Sequence, residues 1–127
     1  MVKDGIIVKI GKSIEYPKEC KIVEWKDLEI YPGLISPGSS LGLAEINALR
    51  ATRDLSEVGT HTPEVESWVA INPDSELIPV ARANGVTHSL IIPMGGTISG
   101  TSGFVMLNGW GIEEMTLRKK VALHLWW

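Results

Sequence analysis

The sequence predicts an α/β fold in two parts: a small antiparallel β unit over residues 1–31, then a longer segment, 32–127, that mixes strands with helices. Three observations predict it. The first thirty residues carry short β-branched runs separated by turn residues, the pattern of brief strands. Pro32-Gly33 then punctuates the chain, and the apolar spacing changes after it. Finally, Asn84-Gly85 joins a helical pattern directly to the apolar run Val86–Ile92, a tight step usual between helix and strand in parallel α/β sheets.

Taken in order, Gly5–Ile10 reads as a strand bounded by Gly11-Lys12, and Lys21–Trp25 as a second strand of alternating polarity. Lys26-Asp27 turns the chain into a third, Leu28–Ile30. Leu34-Ile35 is a short strand entering the polar loop Ser36-Pro37-Gly38-Ser39-Ser40. Leu43, Ile46 and Leu49 recur at helical spacing among Ala44, Ala48 and Ala51, good helix formers. Arg50/Asp54 and Arg53/Glu57 stand four apart, as paired charges do on an exposed helix face. The spacing therefore predicts a helix over 43–55.

Asn72-Pro73-Asp74-Ser75-Glu76 is a helix-start pattern, with polar caps and acidic residues in the first turn. Leu77, Ile78, Val80 and Ala81 supply an apolar face, Pro79 is tolerable only near the first turn, and Asn84-Gly85 is a left-handed stop. After the strand Val86–Ile92, a glycine- and serine-rich loop spans Gly95–Gly103, and Phe104–Leu107 is a further strand. The terminal run Val121–Trp127 reads as a strand or core segment whose continuation is absent.

Bulk properties exclude several classes. The formal charge of −3 offers no basic surface for nucleic acid, and Arg118-Lys119-Lys120 suits a solvated turn. One cysteine, Cys20, permits neither an internal disulfide nor a multi-cysteine zinc site. No stretch approaches the roughly 18 apolar residues of a membrane span, and Met1–Gly5 lacks signal-peptide architecture. The expected compartment is cytoplasmic, with export left open because an upstream segment could precede Met1.

The run from Ile30 through Pro32-Gly33-Leu34-Ile35-Ser36-Pro37-Gly38-Ser39-Ser40 to Gly42 resembles the signature of the amidohydrolase superfamily. There a Pro-Gly-Leu/Ile-Ile-Asp step leads from a β-sandwich into the first barrel strand, which presents a His-x-His pair to a divalent metal. Asp4-Gly5-Ile6-Ile7-Val8-Lys9-Ile10-Gly11 resembles the family's hairpin. The stretch 72–87 and the small-residue loop Gly100-Thr101-Ser102-Gly103 resemble imidazolonepropionase-related members. The resemblance implies β-sandwich-like strands over 1–31 and, over 32–127, the first βα elements of a TIM-like barrel, incomplete at its C-terminal side.

It also implies where a metal would sit. The His-x-His positions fall on Gly38 and Ser40, and the usual Asp falls on Ser36. Glycine has no ligand atom and a neutral hydroxyl is a poor one, whereas zinc takes imidazole, thiolate or carboxylate. The family usually holds zinc or another divalent metal; this chain is expected to hold none, and no catalytic residue is assigned. Ser36, Ser39, Ser40 and His88 are the substrate-pocket candidates, the serines near the C-terminal end of the first barrel strand and His88 on a strand that could point inward.

Other chemistry is weakly marked. His61, His88 and His124 lack partners at metal-binding spacing. Ser36, Ser39 and Ser40 have no Gly-x-Ser-x-Gly elbow and no identifiable base. Residues 95–103 lack the Lys and following helix of a phosphate loop. Trp68, Trp110, Trp126 and Trp127 suit core or interface better than a stacking surface.

Two functions follow as expectations. The first is the N-terminal portion of an amidohydrolase-like protein that hydrolyses C–N bonds in small amides or cyclic amides when whole, and is inactive as this chain. The second is a stand-alone, non-catalytic binding or assembly module derived from the same fold. The partners expected are the remainder of the barrel or another copy of the chain, with a small amide as ligand; nucleic acid and membrane are not expected.

Overall fold

The computed structural model describes residues 1–127, which divide by their contacts into two compact units, Met1–Tyr31 and Pro32–Trp127. The first holds one small hairpin: β1 (Val2–Lys3) pairs antiparallel with β2 (Ile6–Ile7), Val2 opposite Ile7. Asp4 and Gly5, at φ of 51° and 76°, form its turn, with the two positive φ values that a tight hairpin turn requires. The Met1 ammonium donates to the Lys9 carbonyl at 2.7 Å.

The strand expected over 5–10 is thus cut to Ile6–Ile7, and those expected over 21–25 and 28–30 do not form. The physical reason lies in their surroundings. Ile10, Ile22, Val23, Leu28 and Ile30 are all more than half exposed, so neither burial nor a neighbouring edge rewards an extended backbone there.

The second unit contains β3 (Leu34–Ser39), α1 (Leu77–Ala83), β4 (Val86–Ile91), β5 (Ile98–Thr101), β6 (Gly103–Met106), the one-turn helix α2 (Ile112–Met115), β7 (Thr116–Arg118) and β8 (Leu123–Leu125). Its main sheet runs β3-β4-β6-β7. β3 and β4 are parallel, while β4–β6 and β6–β7 are antiparallel. The class is mixed α/β, dominated by sheet. β5 and β8 form a separate antiparallel pair, and single parallel bridges join β5 to His61 and Glu66.

β3 runs beyond the two-residue strand expected, through Ser36-Pro37-Gly38 to Ser39. It is an edge strand, where a proline is tolerated. Between Ser36 and Ser39 the register shifts: three steps of β3 match two of β4, from Ser89 to Ile91, which is a bulge.

Alternation along the strands makes the core. Ser89 and Ile91 of β4, Val105 of β6 and the following Leu107 are buried, and they join Leu43, Ile71, Ile78 of α1 and Met115 of α2. On β4 and β6 the residues of opposite parity, His88, Leu90, Phe104 and Met106, are only half-buried.

α1 begins later than its start pattern suggests. The Asn72 side chain accepts from Asp74 N–H at 3.1 Å, and the Ser75 hydroxyl accepts from Leu77 N–H at 3.3 Å, so the polar residues build a turn ahead of the helix. Pro79 is the third helical residue, where its missing N–H has no intrahelical partner to lose. Gly85 closes the helix at φ 85°.

The helix expected over 43–55 is absent. That segment is a loop closed on itself: Asp54 N–H donates to Leu43 O at 2.7 Å and Glu45 N–H to Thr52 O at 3.1 Å, with Ala44 bridged to Arg53. Its helical content is one 3-10 turn, Arg50–Thr52. The Thr52 hydroxyl lies at hydrogen-bond distance from Ile46 N–H and the carbonyls of Ile46 and Leu49. Leu43 goes into the core while Ile46 and Leu49 stay about half exposed, so the apolar stripe that suggested a helix is not buried as one face. Tertiary anchoring of Leu43 overrides the propensity of the alanines. A second correction concerns residues 95–103, expected as loop throughout, where β5 forms because both of its edges find partners.

Candidate functional site

The serines expected to line a pocket lie along β3 and just beyond it. Ser36 stands opposite Ser89, and Ser39 opposite Ile91. The Ser39 and Ser89 hydroxyls are 2.7 Å apart, and Ser39 Oγ also accepts from Leu41 N–H at 3.3 Å. Ser40 follows the strand, its carbonyl accepting from Leu43 N–H in a turn. Ser89 is fully buried. It is the residue that sequence reasoning passed over, although its place two before Ile91 in an alternating strand marks the same face.

His88 does not join this group. It neighbours Ser89 on β4 and therefore projects from the opposite side of the sheet. Its ring stacks on Phe104 with centroids 5.6 Å apart and planes at 12°, and its Nδ1 is 2.9 Å from Thr87 Oγ1. The structure thus brings Ser39 to Ser89 and leaves His88 on the half-covered face with Leu90 and Met106.

Gly38 lies within β3, and a Cβ built there would stand 2.7 Å from Ile92 Cδ1. A larger side chain would have to displace the flexible end of Ile92. No group of three or more His, Cys, Asp or Glu side chains is gathered closely enough to hold a metal ion. His61 is exposed, its Nδ1 2.9 Å from the Thr60 hydroxyl, and His124 sits on β8. Gly38, Ser40 and Ser36 do not fit the divalent metal of the resembled family, because none offers imidazole, thiolate or carboxylate.

A cleft of about 700 Å³ opens elsewhere in the second unit. Leu43 and Pro93, just past the ends of the parallel strands β3 and β4, contribute to its wall, as do Glu57, Glu64, Glu66 and Trp68. None of Ser36, Ser39, Ser40 or His88 lines it. Size and chemistry therefore point to different places, and the cleft shows no paired acid and base. Glu66 is held below the usual carboxylate range, first by its hydrogen bond with Lys120 and then by that from the Trp68 indole. The distances are 2.7 Å to Lys120 Nζ and 2.8 Å to Trp68 Nε1. Lys119 Nζ lies 4.2 Å from the centroid of the Trp68 ring, a cation–π contact.

Comparison with known proteins agrees with this architecture. The chain is 25% identical over 118 residues to Amidohydrolase tasK of Hapsidospora irregularis, covering 90% of this chain and 12% of that protein. It superposes on the crystal structure of an amidohydrolase from Thermotoga maritima MSB8 with a TM-score of 0.70 and 25% identity, covering 82% of this chain and 30% of the other. No family model matches. Sequence and fold together support the amidohydrolase superfamily, over a part of each relative. The chain spans about an eighth of the curated relative's length and under a third of the solved structure's. No helix is long and apolar enough to cross a membrane.

Proposed function

We propose that this chain is the N-terminal portion of an amidohydrolase-like protein, inactive by itself, whose full-length form would hydrolyse C–N bonds in small amides or cyclic amides. The observation that carries the reading is the match of 82% of this chain to only 30% of a solved amidohydrolase. In this reading residues 1–31 are β-sandwich strands lacking their partner sheet, which accounts for the exposed apolar side chains there. Residues 32–127 are the opening of a TIM-like barrel, with β3 and β4 as its parallel strands. The half-covered face bearing His88, Leu90, Phe104 and Met106 would be closed by the remainder of the barrel, with His88 in the pocket built there and Ser40, just past the end of β3, at its rim. Ser36 and Ser39, which meet Ser89 on the opposite side of the sheet, would lie outside it. Inactivity of the chain by itself follows because Gly38 and Ser40 offer no good ligand and no other group of His, Cys, Asp or Glu is gathered to hold a Lewis acid. A full-length form would have to draw such ligands from the rest of the barrel.

The test is hydrolysis of a panel of small linear and cyclic amides by the purified chain, with and without added zinc or manganese. No turnover above the buffer rate is expected; metal-dependent turnover would overturn the proposal.

One observation favours a second reading, a non-catalytic module that assembles with another copy. Ile35 of the edge strand is 59% exposed, directly beside His88, on an uncovered apolar face of the kind that soluble proteins cover. Sedimentation equilibrium separates the two: a discrete dimer supports the module, and self-association without a defined stoichiometry supports the first reading.

A further inference from the structure

β8 is held by one neighbour. Its pairing with β5 sets Ile98 against Leu125, Gly100 against His124 and Thr101 against Leu123, with the register broken between Ile98 and Gly100 so that Ser99 is the extra residue of a bulge. Its approaches are pinned by backbone hydrogen bonds from Val121 N–H to Ser102 O and from Trp126 N–H to Thr97 O, both 2.9 Å. At the bulge two side-chain atoms are buried without a hydrogen-bond partner, Ser99 Oγ and His124 Nε2. Gly100, opposite His124, is at φ 109°, and a Cβ there would stand 2.5 Å from Val65 O. The bulge is therefore pressed against the 62–66 segment on its far side and can yield only on the side of β8.

A buried imidazole nitrogen with no acceptor is tolerable while the ring is neutral. Once the ring takes a proton from solvent, both nitrogens are N–H donors carrying a shared positive charge, and desolvation without a partner becomes costly. No acidic neighbour offsets that cost. β5 carries no charged or titratable side chain. Beyond it, the 61–66 segment has His61, Glu64 and Glu66, with Glu66 engaged by Lys120 at 2.7 Å. On the approach to β8 stand Arg118, Lys119 and Lys120, all cationic. Burial holds the His124 imidazole below its ordinary value of 6.5.

We propose that β8 is a proton-released edge strand: protonation of His124 drives its imidazole out of the bulge and detaches Leu123–Leu125 from β5. The sign follows from linkage. The folded group binds protons less readily than the unfolded one, so the contribution of neutral His124 is full above pH 6.5 and is lost as pH falls below it. Glu66 is separable, because its ordinary value is 4.5 and it is lowered from there.

Hydrogen exchange of the 127-residue chain, read at residues 123–125 and corrected for intrinsic rates, tests this between pH 7.5 and pH 5.5. Exchange at β8 should rise on acidification, by up to about tenfold for a single group of ordinary value 6.5, while β4 and β6 change less. His124→Phe, which cannot be protonated, should abolish the rise, and His124→Gln should do the same while keeping a polar group. A rise that persists in either variant, or β8 that is unprotected or equally protected at both pH values in the wild type, overturns the proposal.

Discussion

Ser67 shows how much a single hydroxyl can organise. It is 2% exposed; its Oγ donates to Ile91 O at 2.7 Å and accepts from Gly103 N–H at 3.0 Å. It thereby satisfies the facing ends of β4 and β6, where Ile91 pairs with Gly103. Ser67→Ala leaves a buried donor and a buried acceptor unpaired, and should lower the unfolding free energy by about 2–3 kcal/mol in urea titration. A change within error would mean that water replaces the hydroxyl. Glycines allow a matched pair of tests. Gly100→Ala meets both a positive φ and the Val65 carbonyl and should cost about 2 kcal/mol or more. Gly85→Ala has the same sign of φ with open space around it and should cost about 1 kcal/mol. Equal losses would contradict the crowding at Gly100. At this scale the sequence was legible for Gly85, which follows a helical pattern and precedes a strand. It was silent on Ser67, whose role depends on two strands more than twenty residues away.

Elements were legible where one local signal and one tertiary demand agreed. β4 formed close to its expected bounds and α1 ended where Asn84-Gly85 marked, though it began late, because Ile78 and Ile91 meet in the same core. Residues 43–55 failed because the demand fell on Leu43 alone, and the segment closed through Thr52 and Asp54 instead of burying a helical face. β5 and β8 escaped notice as a pair because pairing is non-local, although the terminal apolar run did mark β8. The α-helices have seven and four residues, so far-UV circular dichroism should report a strand-dominated spectrum with little helix. A helical signal large enough to need a further three turns would place a helix at 43–55 and contradict the fold. The Ser39–Ser89 contact was half legible: Ser39 was marked by its place in the signature-like run, while Ser89 became visible only once β3 and β4 were set in register.

For the molecule as a whole, we propose that an amidohydrolase-like chain presents Gly38 and Ser40 where the family it resembles presents metal ligands. The resemblance was visible in the sequence because the glycine and proline punctuation of residues 30–42 carries it. The proposed lack of a metal rests on residue chemistry alone, since glycine has no ligand atom and a neutral serine hydroxyl is a poor ligand. What lay beyond the sequence was placement, above all that His88 faces away from Ser39 and Ser89 across one sheet. The most direct measurement is the metal content of the purified chain after equilibration with excess zinc and removal of free ion by gel filtration. Far less than one zinc per chain is expected, unchanged by Ser40→Ala. Stoichiometric zinc that is lost in Ser40→Ala would contradict this proposal.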